Sequence, residues 1–194
     1  MLPISKKPKL IGLYSSLPQS GKSTFAKALV EKGFTRLSFA TPIKEMVSLL
    51  VWHLHDSNII SKPLEDIKTE VLPLIGKTPR ELMQTLGTDW GRDMIGPNMW
   101  ASIGEQRAKA FLDQGQDVVF DDMRFSNEHT MITRLGGFTV KINRRAAPDP
   151  KHIGIAGHPS EGGLVARGMD YEFTIDEGIA AVRQAAFSLL EELK

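Results

Sequence analysis

One run near the start constrains this chain more than any other. Lys9-Leu-Ile-Gly-Leu-Tyr14 leads into Ser15-Ser16-Leu17-Pro18-Gln19-Ser20-Gly21-Lys22-Ser23-Thr24. A short apolar stretch that breaks into a turn-rich segment reads as a buried strand entering a loop. Beyond it, Phe25, Ala28 and Leu29 share one helical face and Gly33 supplies a C-terminal stop, so a helix is predicted over 22–32. Strand, loop and helix in that order bring backbone N–H groups and a helix N-terminus to one point, which favours a phosphate group. In that geometry Lys22 is expected to bridge the outer phosphates of a nucleoside triphosphate, Ser23 to hold magnesium and Thr24 to approach the inner phosphate, with Gln19, Ser20 and Gly21 lining the loop. Ser16 stands where such loops usually open with glycine, and Pro18 lacks an amide donor, so a slightly remodelled turn is expected.

The remainder of the chain alternates in type. Arg36 to Ala40 reads as a second strand, followed by Thr41 as a cap, Pro42 in the first turn and a helix carrying apolar residues from Met46 to Leu54. Between His55 and Gly76 the pattern weakens around Pro63 and Pro73, as an irregular or short-helical insertion would. Thr78-Pro79-Arg80-Glu81 places a capping threonine, an N1 proline and an acid in the order that starts a helix, and a further helix is predicted from about Pro97 to before Gly115. Strands follow at 117–120, 137–142 and 171–175, and Ile179, Val182, Ala186, Leu189, Leu190 and Leu193 line one face of a last helix. The stretch from Asn143 to Asp170 has three prolines, five glycines and no hydrophobic period, and is predicted to be a mobile lid. Strands alternating with helices imply an α/β fold with a mostly parallel five-stranded sheet covered on both faces, binding its ligands beyond the carboxyl ends of the strands.

Composition narrows the chemistry. Across 194 residues, 24 Lys and Arg stand against 23 Asp and Glu, so no overall charge drives nucleic-acid binding. The absence of cysteine excludes disulfides, thiolate zinc sites and a cysteine nucleophile, and the five histidines show no zinc spacing. Neither a secretory leader nor a membrane span is apparent, and an intracellular protein is expected. Asp121 and Asp122 directly follow an apolar strand, where either carboxylate could receive a metal-bound water beside the phosphate loop. Arg80 and Gln84 lie one helical turn apart; a guanidinium suits phosphate and an amide suits a base edge, although on spacing alone a solvated helix face is the simpler reading. Arg124, Arg144 and Arg145 are further guanidiniums able to approach the ligand edge, and Trp90, Trp100 and Phe125 are candidates for stacking on a base.

Three blocks, TPRELMQTLGTDWGRDMIGPNMW (78–100), FDDMRFSNE (120–128) and GHPSEGGL (157–164), taken with the phosphate loop, resemble the deoxynucleoside monophosphate kinases of bacteriophages. The resemblance implies a P-loop NTPase fold in three α/β/α layers, with a helical acceptor-binding region inserted over 42–115 and a lid over 143–170. It implies ATP with magnesium as donor and a deoxynucleoside monophosphate (dNMP) as acceptor. By position, Gly21, Lys22, Ser23 and Thr24 match the ATP loop, while Arg80, Gln84, Arg92 and Trp100 fall in the acceptor block. Asp122 and Arg124 match an Asp-x-Arg at the strand end and are counted with the acceptor contacts as well. The catalytic set so implied is Lys22, Asp122, Arg124 and Arg144, with Ser23 and Asp122 toward the metal. The same resemblance implies action in the cytoplasm of a host cell, no membrane and no stable nucleic-acid partner, and leaves a homodimer open. Other readings of the residues are a kinase of a different small phosphorylated metabolite, a kinase of polynucleotides or of modified bases in DNA, and a non-catalytic nucleotide-binding module.

Overall fold

The computed structural model describes residues 7–17, 20–54, 62–144, 168–175 and 178–194, and these form two compact units. The first comprises residues 1–38 and 101–194 and holds the sheet. Its strands are β1 (Leu10–Tyr14), β2 (Thr35–Leu37), β3 (Val118–Phe120), β4 (Phe138–Arg144) and β5 (Tyr171–Ile175), in the spatial order β2-β3-β1-β4-β5. All four pairings are parallel, with Gly12 opposite both Phe120 and Thr139 at the centre. Such a sheet is apolar on both faces, as the wholly buried β1 and β3 require.

Alternation along β1 defines the layers. Ile11 and Leu13 enter a core shared with Phe25 and Leu29 of helix α1 (Lys22–Val30) and with Val182, Ala186 and Leu189 of the C-terminal helix (Ile179–Glu192). Gly12 points the other way; a Cβ there would lie 3.0 Å from Cγ1 of Ile132 and 3.1 Å from Sδ of Met123. Ile132 belongs to a helix over Ser126–Arg134 that packs on β1 and β4, so helices cover both faces. That helix is absent from the pattern read in the sequence, because its first turn, Ser126-Asn127-Glu128, is polar and carries no apolar repeat. The result is the expected α/β/α sandwich with five strands, all parallel.

The second unit, Phe39–Trp100, is helical. It contains α2 (Thr41–His53), a single turn α3 (Leu64–Ile67) and α4 (Pro79–Thr85), which runs on into a π-helix over Leu86–Ile95. Val47, Val51, Ile67 and Leu72 are its buried core, flanked by Leu82, Met83 and Leu86. The predicted start of α4 is realised in full: Thr78 Oγ1 accepts the Glu81 N–H at 3.2 Å, and the Glu81 carboxylate accepts the Thr78 N–H at 2.8 Å. Thr41, by contrast, is the first residue inside α2 rather than its cap; Ala40 holds the cap position with helical backbone and no side-chain bond. From Met99 to Leu112 runs α5, so the helix over Ser126–Arg134 is α6 and the C-terminal helix is α7. Among the described residues no helix is long and apolar enough to cross a membrane. Most of the expected lid, 145–167, lies outside the described residues, as does Gln19.

Candidate active site

The loop after β1 turns at a glycine whose backbone other residues rarely adopt. Gly21 adopts φ +98°, a left-handed conformation, and caps α1 while its carbonyl accepts the Phe25 N–H at 2.9 Å. A Cβ at Gly21 would also lie 3.1 Å from Cγ2 of Val182 on α7. Glycine is therefore favoured by the backbone conformation, and any larger residue would also press on Val182. On the other side of the loop, Ser15 Oγ accepts the Leu17 N–H at 3.2 Å, bracing the turn in which Ser16 replaces the usual glycine. Ser20 is 3% exposed, and the Lys22 ammonium sits 3.5 Å from its Oγ, a long contact.

Lys22 carries the clearest electrostatic signature. Desolvation lowers its pKa from 10.5 to about 8, the Arg124 guanidinium pushes it the same way, and Asp121 and Asp122 pull it partly back. Arg124 is exposed and, among the described residues, forms no ion pair with a carboxylate. Two cations near each other, one desolvated, define a place that an anion would stabilise.

The two aspartates after β3 have different neighbours. Asp121 is 8% exposed and forms an ion pair with Arg36 of β2, while its own N–H donates to the Leu37 carbonyl at 3.3 Å. The Asp122 carboxylate is half-buried and accepts the Ser38 hydroxyl at 2.6 Å. Asp121 is thus bound to the strand β2, while both acids raise the pKa of Lys22 and so lie within its field. Arg36 and Ser38 were not singled out in the sequence, yet their alternation about Leu37 in the second strand was the available signal.

Magnesium fits this donor set. Ser23 is an exposed hydroxyl at the second position of α1, and Asp122 supplies one carboxylate oriented by Ser38. Among the described residues no group of three acids or imidazoles could hold a metal ion alone. One hydroxyl and one carboxylate suit a hard ion that takes most of its ligands from phosphates and water.

In the second unit, Arg80 and Gln84 are half-buried one turn apart on α4, and Arg92 lies in the π-helix with Nη1 3.3 Å from the Pro97 carbonyl. Trp100 requires a correction. Rather than offering a ring face to a base, it is 2% exposed, donates Nε1–H to the Gly87 carbonyl at 2.7 Å and packs at a tilt on Trp90. A Cβ on Gly91 would come within 2.5 Å of its ring, so Trp100 is the pin around which the π-helix closes. Arg144 ends β4 opposite Ile175; what was expected of its guanidinium lies outside the described residues.

A glycine-capped phosphate loop after the central strand, a desolvated lysine and an acid at the neighbouring strand end define a phosphate-loop phosphotransferase. No family model matches the chain. A protein of Acanthamoeba polyphaga mimivirus named as a deoxynucleotide monophosphate kinase is 34% identical over 154 residues, covering 74% of this chain and 78% of that protein. This chain belongs to the deoxynucleoside monophosphate kinase family. The deoxynucleoside-5′-monophosphate kinase of Escherichia phage T5 is 27% identical over 141 residues, covering 72% of this chain and 52% of the phage protein. A Thermus thermophilus protein of solved structure shares the fold at a TM-score of 0.53 and 17% identity, over 97% of this chain and 100% of that one.

Proposed function

We propose that the chain transfers the γ-phosphoryl group of ATP to the 5′-phosphate of a deoxynucleoside monophosphate, giving ADP and the diphosphate. An acceptor phosphate oxygen attacks the γ-phosphorus in line; the bond to the β,γ-bridging oxygen breaks, and its electron pair leaves with ADP. Near neutral pH the acceptor phosphate is already largely dianionic, so positioning and charge neutralisation carry the catalysis and no general base is required. Loop amides around Ser20 and Gly21 take the β-phosphate, and the Lys22 ammonium spans the β and γ groups. Arg124 neutralises charge as it spreads over the transferred group. Ser23 and Asp122 would hold magnesium, which would supply the remaining charge neutralisation.

On the acceptor side, Arg80 and Arg92 are assigned to the monophosphate and Gln84 to the base edge, with Trp100 kept to a structural role. Support for this assignment comes from the family and from the residue chemistry of α4 and the π-helix. The observation that carries the reading is Lys22 at the start of α1 behind Gly21, its pKa lowered first by burial and further by the Arg124 guanidinium. The test is ADP release with magnesium and ATP against a panel of dNMPs, ribonucleoside monophosphates and non-nucleotide phosphates. Release that depends on a dNMP and is lost in Lys22→Met is the expected result. Release that responds only to a non-nucleotide phosphate contradicts the proposal.

A further inference from the structure

Among the described residues, two glutamates stand at the third position of a helix and reach back to cap it, and they are not alike. Glu81 closes the box on Thr78 in the ordinary way: a hydroxyl caps one amide, the carboxylate caps the other, and the acid stays 38% exposed beside Lys77. Glu128 of α6 is 2% exposed, and the residue at its cap position is Phe125, whose ring accepts no backbone N–H. Burying a carboxylate is costly unless its lone pairs are used. Its Oε2 accepts the Phe125 N–H at 3.0 Å, which is all that capping needs, and also the Arg124 N–H at 2.7 Å, the shorter of the two. That second bond lies outside the helix, in the turn between Asp122 and α6. The amide of Asn127 is drawn into the same turn, its Oδ1 accepting the Glu128 N–H at 3.0 Å.

We infer that Glu128 is a positioning residue for Arg124: its buried carboxylate fixes the backbone from which that guanidinium extends toward the transferred phosphoryl group. An arginine side chain is long and rotamer-rich, and its rigidity in a site depends on how firmly its root is held. Arg124 is exposed and has no carboxylate partner among the described residues, so no ion pair orients it in the absence of substrate. Two charge-assisted bonds to consecutive amides supply that order from the backbone side. Glu128 itself touches no reacting atom. The inference rests on the role proposed above for Arg124.

The test is a double-mutant cycle on the full chain, read by steady-state kinetics with ATP and a dNMP and by thermal melting. Glu128→Ala is expected to lower kcat about ten- to a hundredfold, the scale of a reacting group displaced by an ångström, with KM for ATP nearly unchanged. In an Arg124→Ala background the same change is expected to lower kcat by less than about twofold, because the group it serves is gone. Glu128→Gln keeps an oxygen that can accept both amides and is expected to recover most of the lost kcat. Should Glu128→Ala not fold, Glu128→Asp replaces it, since the shorter side chain withdraws the oxygen without removing the acid. If Glu128 only caps α6, its loss lowers the melting temperature and kcat by the same factors with or without Arg124, and that result overturns the inference. If Arg124→Ala alone leaves kcat at the wild-type value, the proposed role of Arg124 fails first, and the inference falls with it.

Discussion

Lys22 offers the sharpest physical prediction, because its proton is held differently from that of an ordinary lysine. With a pKa of about 8 in the free protein, it is about nine-tenths ammonium at pH 7 and about one-tenth at pH 9. A bound triphosphate stabilises the ammonium and returns the pKa toward 10.5 or above, so binding must take up a proton wherever the free lysine has lost one. Uptake of about 0.5 proton is expected at pH 8 and about 0.9 at pH 9, and affinity should fall about tenfold per pH unit above 8. Calorimetric titration of a non-hydrolysable ATP analogue, in buffers of contrasting ionisation enthalpy, measures the uptake directly. Lys22→Met, which cannot titrate, provides the baseline. Stability carries the same signature with a definite sign. The folded pKa lies below the unfolded value, so between pH 8 and 10.5 the unfolded chain binds more protons, and the destabilising contribution of Lys22 is relieved as pH rises through that window. Affinity that stays flat to pH 9.5, with no proton uptake beyond that of Lys22→Met, would refute the assignment of a desolvated lysine to the triphosphate.

Other perturbations separate structure from chemistry. Asp121→Asn should cost about 1–2 kcal/mol in urea denaturation, tempered because Arg36 is 40% exposed, while Asp122→Asn should chiefly lower kcat and raise the magnesium requirement. The reverse pattern would exchange their roles. Gly91→Ala places a methyl 2.5 Å from the Trp100 ring and should lower stability by about 2 kcal/mol; an unchanged denaturation midpoint would contradict the packing described for the π-helix. Thr78→Ala removes the hydroxyl that caps α4 and should cost about 1 kcal/mol by the same measurement, whereas no loss would mean that Glu81 holds the turn alone.

What was legible in the sequence follows how local each signal is. The phosphate loop, the start of α4 and the sandwich itself depend on residues adjacent in the chain, and Gly21, Lys22 and Thr78 stand where the pattern placed them. Asp121 and Asp122 could not be told apart, because the residues that distinguish them, Arg36 and Ser38, lie 85 and 84 positions away. The π-helix was hidden for a related reason. Leu86-Gly-Thr-Asp-Trp-Gly-Arg-Asp-Met-Ile95 has two glycines and weak helix propensity, and what supports its helical form is Trp100, nine residues beyond Gly91: Gly91 leaves room for its ring and the Gly87 carbonyl accepts its Nε1–H. That packing also explains why Trp100, read as an aromatic available to a base, is core instead. Glu128 was inside a quoted motif yet passed over, since its function appears only when its carboxylate is seen to turn back onto Arg124.

In the proposed reaction one phosphoryl group passes from ATP to a nucleotide acceptor. Incubation of the protein with magnesium, γ-32P-labelled ATP and each dNMP in turn, followed by chromatographic separation, tests it most directly. The label should appear in a deoxynucleoside diphosphate as ADP accumulates in equal amount. Label found only in inorganic phosphate, with every monophosphate recovered unlabelled, would contradict it.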